Sequence, residues 1–177
     1  MNKLRNAACY LAGPIDFCKT SGTDFRIEIQ NKLNHIGIKW LDPTNKPFQT
    51  GQEVGKEKEH HQKLRSEGKW EELSKFAKEI RRVDLRMTDK CDFLICYLDT
   101  DIFSFGSLDE LLSVEDQQKP VFLVVKQGKS NISLWAFAVL PHEHIFSSID
   151  DLVKYLEGID NGTIPMGRKW VEIWPFI

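Results

Sequence analysis

Long apolar runs, an excess of basic residues and cysteine pairs at zinc-binding spacing are all missing from this chain of 177 residues. Its apolar stretches fall well short of the roughly 20 residues that a membrane-spanning helix requires. The net charge of −2 gives no overall attraction to nucleic acid or to anionic lipid. The first residues carry no apolar signal-peptide core and lead directly into a strand, so we expect a cytoplasmic protein without nucleic-acid or membrane partners.

Metal ligands are also scarce. The four cysteines are Cys9, Cys18, Cys91 and Cys96. They match no zinc-site spacing, and we interpret them as reduced thiols of a cytosolic protein. The histidines at His60-His61 and at His142 and His144 have no third ligand at a suitable spacing. We therefore expect neither a metal ion nor a cofactor.

Strand and helix patterns alternate along the chain. We predict strands at 7–12, 38–41, 92–97, 120–125 and 144–146. We predict helices at 23–35, from residue 70 into the mid-80s, from near residue 106, at 131–140 and from 148 to about 156. This alternation predicts a single α/β domain over residues 1–177, with a doubly wound, mostly parallel five-stranded sheet of the Rossmann or flavodoxin-like kind.

Two segments stand apart from this alternation. Residues 45–68 are polar and charged, and they form either a solvated helix or a mobile cover, which we describe as a charged insertion or lid. Residues 165–177 form a tail whose end is too apolar to remain free in water. We expect this tail to pack on the domain or on a neighbouring subunit.

The segment from Phe105 to Glu110 carries the clearest chemical signal. It follows an apolar strand and a polar loop. This order predicts a glycine turn followed by a helix with a carboxylate in its first turn. Ligands bind beyond the carboxyl ends of strands in open α/β sheets. A glutamate in the first helical turn is held ionised by the helix dipole and can serve as a nucleophile or a base. The spacing of Ser107 and Glu110 is equally that of a capping box, which satisfies only the backbone.

Four segments are expected to meet at the same rim of the sheet. They are Tyr10-Leu-Ala-Gly-Pro, Val83-Asp84-Leu85, Gly106-Ser107-x-x-Glu110 and Asn131-x-x-x-Trp135. In this order and spacing, they resemble the nucleoside 2-deoxyribosyltransferases and the related nucleotide N-glycosidases. The resemblance covers roughly the first 140 residues, and it implies that residues 1–177 form one domain of this type.

The resemblance implies a role for each matching residue. Glu110 takes the place of the nucleophile that attacks the anomeric carbon, Asp84 contacts and helps to protonate the nucleobase, and Tyr10 positions the nucleophile. Asn131 reaches into a neighbouring subunit's site, which implies a homo-oligomer with shared active sites. Without the resemblance, each of these residues also has an ordinary structural interpretation. Asp84 could be a surface residue beside arginines, Tyr10 could be an ordinary strand aromatic, and Asn131 could be a helix N-cap.

Other residues of these segments are expected to bind substrate. They are Gly13, Asp16, Phe17, Asp99, Asp101, Ser104, Gly106, Ser107, Asn131 and Trp135. The family often has a sugar-binding aspartate six residues before the nucleophile, where this chain has Ser104. A serine hydroxyl can instead donate to a 5′-phosphate without adding a repulsive charge.

Three functions follow as hypotheses. The first is cleavage of the N-glycosidic bond of 2′-deoxynucleosides, with transfer of the deoxyribosyl group to another free nucleobase. The alternative is a hydrolase that releases the base from (deoxy)nucleoside 5′-monophosphates, because the segment from Gly106 to Leu112 also resembles the Gly-Thr-x-x-Glu segment of phosphoribohydrolases. The second alternative is a sensor that binds nucleotides without chemistry.

Overall fold

The protein contains one parallel sheet with helices on both faces. The computed structural model describes residues 2–47 and 50–171. The strands within these ranges are β1 (Ala8–Ala12), β2 (Lys39–Leu41), β3 (Phe93–Leu98), β4 (Val121–Val125) and β5 (Ile145–Phe146). Their order is β2-β1-β3-β4-β5, and every neighbouring pair is parallel. The predicted doubly wound α/β class is confirmed, with the order of flavodoxin-like folds.

The helices cover the predicted positions with shifted ends. They are α1 (Thr23–Leu33), α2 (Lys56–Ser66), α3 (Trp70–Lys90), α4 (Phe105–Asp116), α5 (Ala136–Val139), α6 (Ile149–Asn161) and α7 (Arg168–Val171). The start of α6 is set by Ser148, whose hydroxyl accepts a hydrogen bond from the Asp151 amide in an N-cap. No helix among these is long and apolar enough to cross a membrane.

The alternation of side chains along the strands divides the core into two layers. Cys9 and Leu11 of β1 pack with α1 and α6, whereas Tyr10 and Ala12 face the opposite layer, which contains buried residues of α3 and α4. The same two-residue period holds in β3 and β4, because successive side chains of a strand point to opposite faces. Tyr10 therefore points toward the helices that carry Asp84 and Glu110.

The helix predicted to begin at Asn131 begins at Ala136 instead. Residues Lys129–Asn131 form a 3₁₀ turn, and the Asn131 side-chain amide donates to the Gln127 carbonyl at 2.5 Å. The side chain thus closes the loop after β4. The N-cap interpretation of Asn131 is wrong.

Within the charged segment 45–68, residues Lys56–Ser66 form α2, which packs on the domain. His61 and Leu64 are buried on its inner side. Lys58 Nζ donates to the carbonyls of Ile15 and Cys18, at 3.1 and 2.9 Å, and to the Ser21 hydroxyl at 2.9 Å. This helix is therefore tied to the loop that follows β1.

The predicted C-terminal tail lies partly outside the described residues, which end at 171. Trp170 is only 2% exposed, and its ring centroid lies 5.2 Å from that of Phe93 and 6.1 Å from that of Phe122. The beginning of the tail's apolar end therefore packs on the domain, as expected.

Candidate active site

Two cavities open where the strand order reverses between β1 and β3, which is where ligands bind in folds of this topology. The larger has a volume of about 390 Å³ and lies among α2, α3 and α4. The smaller, of about 90 Å³, lies beside it under the loops after β1, β2 and β3. Glu53, Gly106 and Glu110 line both. The two cavities therefore form adjoining compartments of one site.

A short hydrogen bond joins the end of β1 to α4 at the floor of this site. Tyr10 is fully buried, and its hydroxyl donates to Glu110 Oε1 at 2.7 Å. Glu110 itself is partly exposed along the cavities. The interpretation of Tyr10 as only a packing aromatic is wrong, because its polar end has a specific partner at the site.

The start of α4 differs from the prediction. The helix begins at Phe105 after Ser104, and its first turn contains no acidic residue. Glu110 is therefore the sixth helical residue, beyond the turn in which the helix dipole acts strongly. No side-chain cap is present, and the Ser107 hydroxyl is hydrogen-bonded to that of Ser104 at 2.7 Å. Both the first-turn placement of Glu110 and the capping-box interpretation are wrong.

Gly106 lies inside this first turn and is not part of a preceding turn. A Cβ atom built on it would meet nothing within 4 Å. Its backbone is helical, so no unusual φ angle requires glycine here. The absent side chain instead leaves room where the two cavities meet.

Burial controls the ionisation of Glu110. Burial, with a smaller contribution from the nearby Glu53, raises the pKa of the Glu110 carboxyl, and the net value is about 8. The hydrogen bond from Tyr10 and the positive charges of Arg26 and Lys46 act in the opposite direction. The raised pKa favours the protonated form of Glu110, whereas the sequence predicted a carboxylate held ionised by the helix dipole.

Asp84 projects from α3 into the larger cavity. It is 4% exposed, and its Oδ1 atom lies 2.7 Å from Lys46 Nζ in an ion pair. Burial and the neighbouring Glu53 and Glu110 raise its pKa to about 9, against the lowering effect of Lys46. The interpretation of Asp84 as a surface residue is wrong, because its side chain points into the site.

Lys46 and Glu53 complete this group, and sequence reasoning did not identify either of them. The Lys46 side chain is fully buried and donates to the Gly51 carbonyl, and its Nζ lies 3.4 Å from Glu53 Oε1. Lys46 thus bridges two carboxylates from different segments. Its position in the loop after β2, at the same rim of the sheet, was the one signal available in the sequence.

Arg26 supports the loop after β1 from within the core. Its guanidinium donates to the carbonyls of Leu11 at 3.2 Å, Gly22 at 2.8 Å and Gly13 at 3.1 Å. Gly22 has φ +68°, and a Cβ there would lie 2.2 Å from the Pro14 carbonyl oxygen. Glycine is therefore required at this position. These contacts fix the backbone of Gly13, which lines the smaller cavity.

The helix α2 forms one wall of the larger cavity through His61 and Arg65. Arg65 forms a two-pronged ion pair with Asp16, at 2.7 and 3.3 Å, and buried His61 lies 4.0 Å from Asp16. Burial lowers the pKa of His61. Apolar side chains form most of the remaining wall: Ile15, Leu73, Phe76, Ala77, Ile80, Leu85 and Phe105. Such a wall suits a flat aromatic ligand.

Seven predicted site residues line the two cavities: Gly13, Asp16, Asp84, Ser104, Gly106, Ser107 and Glu110. Tyr10 does not line them and reaches the site through its hydrogen bond to Glu110.

The other predicted substrate-binding residues lie elsewhere in the described chain. Asp99 is buried and held by Lys126 and Gln127, each at 2.6 Å.

Asp101 also accepts from Gln127, at 3.0 Å, and Phe17 lies under the Arg65 guanidinium. Asn131 and Trp135 are exposed. None of these residues lines the site within one chain. Among residues 2–47 and 50–171, no group of three or more potential ligands is arranged to hold a metal ion.

Comparison with known proteins gives the fold a precedent. No protein-family model matches the chain, and no curated protein matches it in sequence. Its structure is similar to that of the 2-deoxyribosyltransferase from the bacterium Bacillus psychrosaccharolyticus, with a TM-score of 0.58 and 18% identity over 84% of this chain and 92% of that one. At such low identity, the similarity establishes the fold alone, which is the fold that the family resemblance implied.

Two further similarities are weaker. The 2-deoxyribosyltransferase from Leishmania mexicana matches with a TM-score of 0.46 and 18% identity, over 68% of this chain and 65% of that one. The CMP N-glycosidase BcmB from Clostridium botulinum matches with a TM-score of 0.47 and 14% identity, over 85% and 97%. Both are too distant to support an inference.

Proposed function

We propose that this protein cleaves the N-glycosidic bond of 2′-deoxynucleosides through Glu110 and transfers the deoxyribosyl group to another nucleobase. The observation that carries the proposal is the convergence on one cavity of two carboxyls with raised pKa values, Glu110 and Asp84, with Tyr10 bonded to the first at 2.7 Å. The fold shared with a 2-deoxyribosyltransferase and the ordered motifs of the sequence agree with this assignment.

The two carboxyls fit different roles in such a reaction. Cleavage passes through an oxocarbenium-like state, and a retaining route uses a carboxylate nucleophile. Glu110 attacks the anomeric carbon, the bond to the base breaks, and the base takes a proton from Asp84. The pKa of Asp84, about 9, exceeds that of Glu110, about 8. The reaction requires Glu110 to be ionised and Asp84 to be protonated.

The second half of the reaction returns the sugar to a new base. A base nitrogen attacks the anomeric carbon of the glycosyl–Glu110 ester, the ester bond breaks, and the carboxylate of Glu110 is restored. The attacking base loses its proton to Asp84. The apolar wall of the larger cavity binds the base and limits water, which favours transfer over hydrolysis.

We also propose that the active form is a homo-oligomer. Asn131 and Trp135 lie outside the site of their own chain, and Trp135 is 78% exposed. Both project from the loop after β4, at the same rim of the sheet as the cavities. A neighbouring subunit is the natural destination for these side chains.

Product analysis by chromatography tests the proposed function. The purified protein is incubated with a 2′-deoxynucleoside, with and without a different free base, and in parallel with the 5′-monophosphate. Glu110→Gln is compared with Glu72→Gln, an exposed glutamate of α3 that serves as the matched control.

We expect a new nucleoside only when the second base is present, with loss of at least about 1,000-fold in rate for Glu110→Gln and none for Glu72→Gln. Mass spectrometry of the protein mixed with substrate alone should show a deoxyribosyl adduct on Glu110. Base released from the monophosphate without any acceptor would support the hydrolase instead. Saturable binding without turnover or adduct would support a non-catalytic sensor.

A further inference from the structure

The smaller cavity has an unusual chemical composition. Its lining is Gly13, Ile15, Asp16, Pro43, Glu53, Ser104, Gly106, Ser107 and Glu110. Three of the nine lining residues carry carboxyl groups, and the lining contains neither lysine nor arginine. The polar groups that remain are two serine hydroxyls, already bonded to each other at 2.7 Å.

Glu53 occupies a defined position between the two compartments. It lines both cavities, and its side chain is 19% exposed. Lys46 lies 3.4 Å from one of its oxygens, and Lys46 is itself immobilised by Gly51 and Asp84. One buried cation thus fixes Glu53 relative to Asp84, on the α3 side of the site. A carboxylate oxygen at this border remains able to accept a further hydrogen bond.

We propose that Glu53 accepts a hydrogen bond from the ring hydroxyl of the substrate sugar, and that the substrate is a nucleoside without a 5′-phosphate. On a 2′-deoxyribosyl ring, this hydroxyl is the one at the 3′ position. The inference rests on the proposed function. It assigns to the inserted segment the sugar-binding carboxylate that Ser104 does not supply.

The charges of the smaller cavity are the reason why we expect it to exclude a 5′-phosphate. A phosphate dianion in this confined space meets the carboxylate of Glu53 and, when Glu110 is ionised as the proposed reaction requires, a second negative charge, while Arg65 is already paired with Asp16. The nearest buried cations are already engaged: Arg26 by three carbonyls, and Lys46 by Glu53 and Asp84. Sugar hydroxyls, in contrast, are donors that carboxylates accept.

The experiment pairs changes in the protein with changes in the substrate. Wild type, Glu53→Ala and Glu53→Gln are assayed for kcat/KM on a 2′-deoxynucleoside, its 2′,3′-dideoxy analogue, its 2′,5′-dideoxy analogue and its 5′-monophosphate. Glu59→Ala, an exposed glutamate in the same inserted segment, is the control.

We expect wild type to lose about 10- to 100-fold on the 3′-deoxy analogue, which is the range of a hydrogen bond to a charged group. Glu53→Ala should lose a similar factor on the parent nucleoside and little more on the analogue, because the bond is already absent. Glu53→Gln should recover part of this loss, since its amide oxygen still accepts. The monophosphate should be the poorest substrate of wild type.

Each contrary result has a distinct meaning. An equal 3′-deoxy penalty in wild type and Glu53→Ala, or a penalty that depends on the 5′-hydroxyl, overturns the role of Glu53. Preference of wild type for the monophosphate overturns the substrate class. In either case, cleavage that depends on Glu110 leaves the proposed function standing, whereas no cleavage of any substrate by wild type overturns the function itself.

Discussion

Glu110 and Asp84 show how a folded environment changes the ionisation of ordinary carboxylic acids. Both are buried with the carboxylate of Glu53 nearby, and both therefore hold protons at pH values where exposed carboxyls are ionised. The Tyr10 hydroxyl donates to Glu110, whereas an ion pair to Lys46 holds Asp84. Both partners favour the ionised carboxylate, so the raised pKa values come from burial and from the neighbouring carboxyl groups.

The hydrogen bond from Tyr10 leads to a prediction about pH dependence. It lowers the pKa of Glu110, so its removal in Tyr10→Phe raises that pKa further. Activity should increase as Glu110 ionises, and the rising limb of kcat/KM against pH should move up by about one unit. At pH 7, the variant should be about 10-fold slower, and the difference should shrink at pH values above the limb.

Tyr155→Phe is the control for this pH profile, because Tyr155 packs among aromatic rings of the other core layer. An unchanged limb in Tyr10→Phe would show that Glu110 does not control the rising side of the profile.

Gly106 allows stability to be separated from function. Glycine inside a helix costs about 0.5–1 kcal/mol relative to alanine, so Gly106→Ala should raise the free energy of unfolding by that amount. The same methyl group enters the space shared by the two cavities, and we expect kcat/KM to fall at least about 10-fold. Urea unfolding and steady-state kinetics measure the two effects. A more stable variant with full activity would show that substrate does not occupy this space.

At the scale of elements, α2 links the larger cavity to the loop after β1. It closes the larger cavity through Arg65 and His61, and it is tied to the loop after β1 by the three hydrogen bonds of Lys58. The loop after β1 also carries Asp16 and Gly13 of the small cavity. One lysine therefore couples α2 to the loop that lines the smaller cavity.

We expect Lys58→Met to loosen the attachment between α2 and the loop after β1. Loss of three donors to one loop should accelerate amide hydrogen exchange in residues 15–21 by about 10-fold or more. KM should rise more than kcat falls, because the loop positions substrate but is remote from the reacting atoms. Lys63→Met on the exposed side of α2 is the matched control. Equal exchange in the two variants would show that Lys58 does not hold the loop.

At the scale of the whole molecule, one rim of the sheet carries an unusual amount of exposed apolar surface. Leu134 and Trp135 are 83% and 78% exposed, and Phe103 and Phe105 are 76% and 72% exposed. The two loops that carry these residues, after β4 and β3, are joined by hydrogen bonds from Gln127 to both Asp99 and Asp101. Exposed apolar clusters of this kind mark interaction sites.

Self-association through this rim is a prediction that hydrodynamics can test. We expect wild type to sediment as an oligomer at micromolar concentration and Trp135→Glu to sediment as a monomer with reduced activity, since neighbouring subunits would share their sites. Trp70→Glu, which alters a tryptophan that is 63% exposed at the start of α3, should leave both properties unchanged. A monomeric and active wild type would contradict this prediction.

The sequence by itself determined the architecture and much of the site floor. Apolar runs with a two-residue alternation specify strands and their faces, and three- and four-residue spacing specifies helices, so the α/β order followed from local pattern. That pattern also predicted which segments meet at the carboxyl ends of the strands. Glu110 was therefore identifiable from the pattern, whereas Tyr10 and Asp84 were identified through the resemblance of the ordered motifs to the 2-deoxyribosyltransferases.

Only the tertiary structure decided how these groups behave and what completes them. The charged segment 45–68 has no apolar period strong enough to show where it packs, so Lys46 and Glu53 could not be placed at the site. The capping-box spacing placed the start of α4 at Ser107, whereas in the structure α4 begins at Phe105 and the Ser107 hydroxyl is bonded to that of Ser104. The protonation of Glu110 and Asp84 is set by burial and by charges from distant segments, and these depend on the assembled fold.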